Sequence, residues 1–532
     1  MSRASTSWGG GRARRASRLL ALTLGVATLA APLPALAASA PTTRVVVIGR
    51  SAGAALAAVG GTGIRTLTPG VAVGLASADA DARLTAEGYR VAPDAPVSLA
   101  VANDQGSQSD QSDQGAQSAQ SDQSAQRGRA VLSVRNELYA QRVGDGAGQT
   151  IAVLDSGVDA VPALAGRVID GADFTGTGFA DSYGHGTFVA GLIAGNGLDS
   201  FGHQTGIEGV APAARIVSVK IADAQGRSTV GQVVAGLAWV IAHASTYQIG
   251  VVNLSLSVSQ ADSYETDPID AVAEAAWFSG LVVVASAGND GGRVLRAPGN
   301  DPFVLTVGSV ADNGSLRLSD HTLSPYSDSG LTQDGVAKPE VTALGEHVQA
   351  PLPDGSTLAG EQTVDGLPAG YGQLSGTSMS AAVASGAAAL LLADHPGWRP
   401  GLVKAAFEQT RSDQLGEIQL PGADNATPTR DANAAYHASV ALAVAYAQQV
   451  LHTRAYRNVI WSDVTWSDVT WSDVTWSDVS FANVVSATVT WSDVTWSDSV
   501  SGSSGATQTG TTSQVTWSDV TWSNALDVPK ND

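Results

Sequence analysis

Thr150-Ile151-Ala152-Val153-Leu154-Asp155-Ser156-Gly157-Val158-Asp159 is an apolar run that ends in an acid and then a glycine turn. The run is too short for a helix and does not alternate, so it reads as a strand buried on both faces. Similar runs recur at residues 216–221, 250–256, 281–286 and 304–307, with helix-like stretches such as 229–243 between them. This alternation predicts an α/β domain over residues 130–449, with a mainly parallel sheet and helices on both faces. In open sheets of that kind, sites are built at the C-terminal ends of strands, which is where Asp155 stands.

Two further motifs lie downstream. Asp181-Ser-Tyr-Gly184-His185-Gly186-Thr187-Phe188-Val189 places a histidine between two glycines at the start of a small-residue helical run. Ser375-Gly376-Thr377-Ser378-Met379-Ser380-Ala381-Ala382 places a serine at the mouth of a long small-residue helix. There the helix dipole and the free N–H groups of the first turn are available to it. Each motif alone also reads as an ordinary cap or turn. Together they put an acid, a histidine and a serine at glycine-marked element ends of one domain. A serine hydroxyl needs an adjacent base to act as nucleophile. His185 supplies that base, and Asp155 orients its imidazole and stabilises the charged form. Asn289 closes the buried run Val282-Val-Val-Ala-Ser286-Ala287-Gly288-Asn289, where its amide can meet a developing oxyanion.

With these blocks in the order Asp155, His185, Ser378, residues 143–437 resemble the subtilisin-like serine proteases, the subtilases. The resemblance implies a subtilisin-like fold, peptide hydrolysis through an acyl-enzyme, and Asn289 as the oxyanion residue. It also implies a substrate cleft along Ser255, Leu256 and Ser257 on one side and Ser286, Ala287 and Gly288 on the other. Protein or peptide substrates follow, and no cofactor is required for the chemistry. Three departures stand out. Ser380-Ala381-Ala382 replaces the family's Ala-Ala-Pro, which is expected to loosen the first turns of that helix. Phe188 stands where a second histidine is usual. Ser257-Val258 replaces a Gly-Gly pair, so Val258 is expected to narrow the specificity pocket. Many subtilases bind calcium, and residues 196–200 offer oxygen ligands. An ordinary polar loop is the other reading of that stretch, and no ligand set is assigned.

The flanks are of different character. Arg3, Arg12, Arg14, Arg15 and Arg18 precede an apolar run at 19–31 and the small-residue site Ala35-Leu36-Ala37. Residues 1–40 therefore read as a secretory signal peptide, and the product as secreted or extracellular, with cell-surface attachment left open. Residues 41–102 carry short strands and a helix, and resemble the family's propeptide, a small α+β unit that assists folding and then inhibits the enzyme. Residues 103–129 are almost entirely Gln, Ser, Asp, Ala and Gly, a composition that reads as a disordered linker. Self-cleavage is expected between residues 99 and 129.

Residues 450–532 hold eight of the twelve Trp, in a Trp-Ser-Asp-Val-Thr pentad that starts at Trp461. In another frame the pentad resembles pentapeptide repeats, which wind into a four-sided solenoid. A partly disordered tail is the alternative, and exposed Trp would suit docking on cell wall, glycan or protein. A binding or adhesion protein worked by this tail is thus the rival to a protease.

The 532 residues carry 29 Lys and Arg against 49 Asp and Glu, a formal net charge of −20. That balance argues against nucleic acid as a partner. The absence of cysteine excludes disulfides, thiolate nucleophiles and Cys-ligated metals. With an export signal, the chain is expected to hold together by packing and by bound ions.

Overall fold

The computed structural model describes residues 41–68, 70–99, 101–102, 133–361, 364, 366–434 and 436, with six short strands between residues 470 and 522. The expected signal peptide at 1–40 and linker at 103–129 lie outside the described residues.

The N-terminal unit runs β1 (Thr42–Ile48), α1 (Ala52–Ala58), β2 (Thr62–Thr68), β3 (Val71–Ser77), α2 (Ala78–Ala86) and β4 (Arg90–Pro93). Its strands pair antiparallel in the order β2-β3-β1-β4. Val45 and Val47 turn to one face, where they pack with Leu56, Ala72 and Leu84. Val46, Ile48, Val71 and Val73 turn to the other and join the core of the main domain. Burial on both faces explains why β1 is an unbroken apolar run rather than an alternating one. A further strand, β5 (Pro96–Ser98), then leaves this unit.

The main domain continues with β6 (Thr150–Asp155), β7 (Val168–Asp173), α3 (His185–Ala194), β8 (Arg215–Lys220), β9 (Arg227–Thr229) and α4 (Val230–Tyr247). Then follow β10 (Ile249–Leu254), β11 (Ser257–Val258), α5 (Pro268–Phe278), β12 (Val282–Ser286), β13 (Leu305–Ala311) and β14 (Thr322–Leu323). The chain closes with β15 (Val341–Leu344), α6 (Thr377–Asp394) and α7 (Pro400–Thr410). The sheet order is β14-β13-β12-β10-β6-β8-β7, with β15 also beside β13. Every pairing in it is parallel except that of β14.

Helices cover both faces. Ser385 on α6 donates to Asn253 Oδ1 on β10 at 2.9 Å. Asn253 pairs with Val153 on β6, so Val153 faces α6 and its neighbour Leu154 faces the other way. Gly236 of α4 meets Leu154 there. α6 is, among the described residues, the one helix long and apolar enough to cross a membrane, but 83% of that window is buried inside the protein. It runs unbroken from Thr377 through Ala382 to Asp394 without the family's proline.

The N-terminal unit caps α4. The Val230 N–H donates to Ala95 O at 3.0 Å and the Gly231 N–H to Asp94 Oδ1 at 2.8 Å. These are two of the donors a helix leaves unpaired at its start. Asp94 Oδ2 also accepts from Arg44 Nε at 2.7 Å. In an uncleaved Ser378→Ala chain, Asp94→Ala is expected to cost about 1 kcal/mol, the usual value of such a cap. A lowered urea midpoint would register it, and an unchanged midpoint would mean that the cap contributes nothing.

The six tail strands form two parallel stacks. One holds Thr470–Trp471, Thr490–Ser492 and Thr516–Ser518; the other holds Thr475–Trp476, Thr495–Trp496 and Thr521–Trp522. Thr pairs with Thr and Trp with Trp at every step. The first step spans four pentads, which keeps the repeat in phase.

Candidate active site

Asp155 ends β6 and is fully buried. His185 is the first residue of α3, preceded by Gly184 at φ 99°, a left-handed conformation that favours glycine. The His185 Nδ1–H donates to the Asp155 carboxylate, at 2.8 Å to Oδ1 and 2.9 Å to Oδ2. This contact fixes the tautomer and leaves Nε2 as the acceptor. Nε2 is buried and makes no hydrogen bond. Gly186 is needed beside it, because a Cβ there would strike Gly157 O and the Asp155 side chain.

Asp181 holds this corner together, a role the sequence reading did not assign. Its carboxylate accepts from Ser156 Oγ at 2.7 Å, Gly184 N at 2.8 Å, Thr187 N at 2.8 Å and Thr187 Oγ1 at 2.7 Å. It thus caps α3 at the turn that presents His185. Burial outweighs these hydrogen bonds and pushes its pKa above the ordinary carboxylate value. Ser156 Oγ lies between Asp181 and Asp155 Oδ1, 3.2 Å from the latter, and accepts the Gly186 N–H at 3.0 Å. An acid four residues before a histidine flanked by glycines was the available signal.

Ser378 is the second residue of α6. Its Oγ donates to Ser255 O at 3.2 Å. Ser255 Oγ donates in turn to Ser378 O at 2.8 Å and accepts from Asn253 Nδ2 at 2.9 Å. With the Ser385–Asn253 bond, this chain ties the end of β10 to the first three turns of α6. Asn289 stands next to Ser378. Its Oδ1 accepts from both Thr377 N and Thr377 Oγ1 at 2.8 Å, so the oxygen end of the amide is held against the start of α6. The Gly288 N–H donates to Thr377 Oγ1 at 3.1 Å. Gly288 itself sits at φ 115°, where a Cβ would collide with Asp328.

The remaining cleft residues lie on two facing edges. Ser286 Oγ donates to Leu256 O at 3.2 Å and the Ala287 N–H to Val307 O at 3.1 Å. Ser257 and Val258 form β11, which pairs antiparallel with β5. β5 pairs on its other side with β9, so a segment of the same chain is the middle strand of the cleft. Beyond β5, Leu99 N–H donates to Gly226 O at 2.9 Å and Ala102 N–H to Ser375 O at 2.9 Å. Val258 lies opposite Val97, three residues from Ser255 and thus about 10 Å along the strand. Val258 is buried there, 6% exposed. A cavity of about 700 Å³ lies elsewhere, between Leu323, Pro339, Glu408 and Arg411, and holds none of these residues.

The side chains of the loop expected to offer calcium ligands are engaged in its own turn. In the 196–200 loop, Asp199 Oδ1 accepts from Phe201 N at 2.9 Å and His203 N at 2.7 Å, and Asn196 Oδ1 accepts from Leu198 N at 3.0 Å. These oxygens shape the turn. Among the described residues, Asp394, His395 and Asp424 also come together. There His395 Nε2 faces Asp424 O at 2.9 Å and Asp424 Oδ1 at 3.1 Å, while its ring stacks on Trp398 with centroids 4.0 Å apart. That nitrogen is held as a donor, which ties α6 to residues 420–424.

The family profile described as Subtilase family matches residues 146–427. Serine protease AprX of Bacillus subtilis (strain 168) is 33% identical over 293 residues, covering 53% of this chain and 66% of that protein. Subtilisin E of the same organism is 31% identical over 273 residues, 50% of this chain and 61% of that protein. Subtilisin BL of Lederbergia lenta is 30% identical over 279 residues, 52% of this chain and 88% of that protein. The chain thus spans just under two thirds of the length of the first two relatives.

Proposed function

The chain belongs to the subtilase family, and from that premise we propose that it is a secreted serine endopeptidase made as a self-processed precursor. The observation that carries this reading is the buried 2.8 Å contact of His185 Nδ1 with Asp155, in a cleft that also presents Ser378 and Asn289. Ser378 Oγ attacks a peptide carbonyl and passes its proton to His185 Nε2. Asn289 Nδ2 and first-turn N–H groups of α6 receive the oxyanion. His185 then protonates the leaving amine, and water releases the acyl group by the same route in reverse. No cofactor enters any step.

The N-terminal unit acts as propeptide and inhibitor. Its support is β5, which occupies the cleft as a substrate strand would. The tail is assigned to attachment at a cell wall, glycan or protein surface. Equal binding to cell-wall preparations by the full chain and by a chain ending at residue 449 would remove that assignment.

A serine-directed fluorophosphonate is expected to label the mature protein at one site, with labelling lost in Ser378→Ala. No labelling of folded, mature protein would reject the enzyme and leave adhesion through the tail as the working function.

A further inference from the structure

Residues 352–358 lie against the turn that presents His185. We propose that Thr357 is a positioning residue for catalysis, the centre of a brace that holds the outer side of that turn and so keeps His185 in its working place. This rests on the serine endopeptidase reading above.

Val348–Pro351 and Tyr371–Leu374 pair as antiparallel strands. Beyond Pro351 the chain leaves that pair and forms one helical turn, Thr357–Gly360. Ser356 Oγ caps the turn by accepting from Ala359 N at 3.3 Å. Leu358, 4% exposed, anchors it in the main core. The first N–H groups of a helical turn have no partner within it. Here they go to the loop before His185. The Thr357 N–H donates to Ser182 O and the Leu358 N–H to Tyr183 O, each at 3.0 Å. Both carbonyls precede α3 and so have no place in its ladder. Thr357 Oγ1 donates to Ala224 O at 2.7 Å and lies 3.3 Å from Ser182 O. One residue thus joins the loops 181–184 and 223–226, which follow β7 and β8.

The packing is as close as the bonding. A Cβ on Gly184 would lie 2.6 Å from Ser356 Oγ and 2.9 Å from Leu352 Cδ1. A Cβ on Gly226 would lie 2.6 Å from Tyr183 Cε1. Tyr183 in turn stacks on His185, with ring centroids 6.2 Å apart and planes at 27°. Asp181 holds the same turn from the inner side through Gly184 N and Thr187. Ser182 and Tyr183 are therefore clamped between Asp181 and the brace. The Asp155 contact orients the imidazole about its own bonds. Where the turn carries that imidazole is set by the clamp. A shift of about 1 Å at a reacting group can cost on the order of a hundredfold in rate.

Three substitutions at Thr357 separate these contacts. Thr357→Ser keeps every hydrogen bond. Thr357→Val removes those of the hydroxyl. Thr357→Pro removes the N–H bond as well. Proline suits the first position of a helix, and Ser356 before it is already extended at φ −67° and ψ 159°. The mature enzymes should be compared by kcat and KM on a short peptide substrate, by the rate of fluorophosphonate labelling, and by Tm. Thr357→Pro is expected to lower both kcat and the labelling rate roughly tenfold, with KM little changed. Thr357→Val should lose roughly threefold, the share of one hydrogen bond, and Thr357→Ser should stay close to native. A labelling rate untouched by Thr357→Pro would overturn the brace, whatever happens to Tm. If Thr357→Pro does not mature, the other two decide, and equal rates for Thr357→Val and Thr357→Ser would overturn it. No labelling of the native protein would instead reject the enzyme reading beneath it.

Discussion

Asp155→Asn is expected to lower kcat by about 10⁴-fold, the cost of the same carboxylate-to-amide change in another Ser-His-Asp protease. In the native protein both carboxylate oxygens lie within 2.9 Å of His185 Nδ1, so Nδ1 must carry the proton. An amide presents an NH₂ group to one side, and Ser156 N–H already occupies Oδ1 at 2.8 Å. The amide oxygen of the substituted side chain would therefore be held by Ser156, and its NH₂ would face Nδ1. The imidazole then takes the other tautomer, with the proton on Nε2. It can no longer accept the proton of Ser378. Packing is unchanged, so KM and thermal stability should move little. Steady-state kinetics with active-site titration measure the change, and a loss below tenfold would contradict the orienting role of Asp155.

Glu340→Gln is expected to destabilise the folded chain by about 3–5 kcal/mol, the cost of removing one member of a buried charge group. Glu340 Oε1 accepts from Lys338 Nζ and from Lys404 Nζ, each at 2.7 Å, and all three side chains are at most 8% exposed. Glu340 Oε2 accepts from Thr306 N at 2.9 Å. The ammonium groups also donate to main-chain carbonyls, Lys404 to Pro302 O at 2.7 Å and Lys338 to Val304 O at 3.1 Å. The cluster fastens β13, β15 and α7 in a chain that has no disulfide. Without the carboxylate, two cations would share a dry site with the buried Asp301 as their remaining counter-charge. A fall in Tm on the order of 10 °C is the expected reading. Lys404→Met leaves a one-to-one pair and should cost less than Glu340→Gln. The reverse order would contradict this account of the cluster.

The same cluster sets an acid limit. Burial alone would raise the Glu340 pKa, but Lys338 and Lys404 outweigh it and hold the group below its ordinary 4.5. A carboxylate depressed in the folded state contributes stability above the unfolded value and loses it as pH falls through the folded one. The native chain should therefore lose stability below about pH 4.5, and Glu340→Gln should flatten that slope. Burial pulls Lys338 down to about 8, with Glu340 opposing and Lys404 adding to the shift.

The legible and the hidden parts of the site differ in kind. The apolar run at 150–155, the glycines around His185 and the small-residue helix after Ser378 each announce their own local structure. The strands and helices accordingly fall within a few residues of where the pattern puts them. Asp181 was within reach of the sequence, since it belongs to the same loop as His185. Asn253 and Ser385 were not, because 132 residues separate two groups that meet at 2.9 Å. Lys338, Glu340 and Lys404 look like surface charges in sequence, and only the packing of α7 against residues 302–304 reveals them as interior.

What the sequence determined by itself was the type of each element and the inventory of reactive groups. Period, glycine placement and capping are local properties, and short stretches carry them completely. What only the tertiary structure decided was register. β5 is three residues of ordinary composition, and nothing in Pro96-Val97-Ser98 marks it as the strand that fills the cleft. Its place is fixed by pairing with segments more than 120 residues away, with Val97 and Leu99 buried in the same core. Pairing between distant strands depends on which faces must be buried together, an energy that no local pattern encodes.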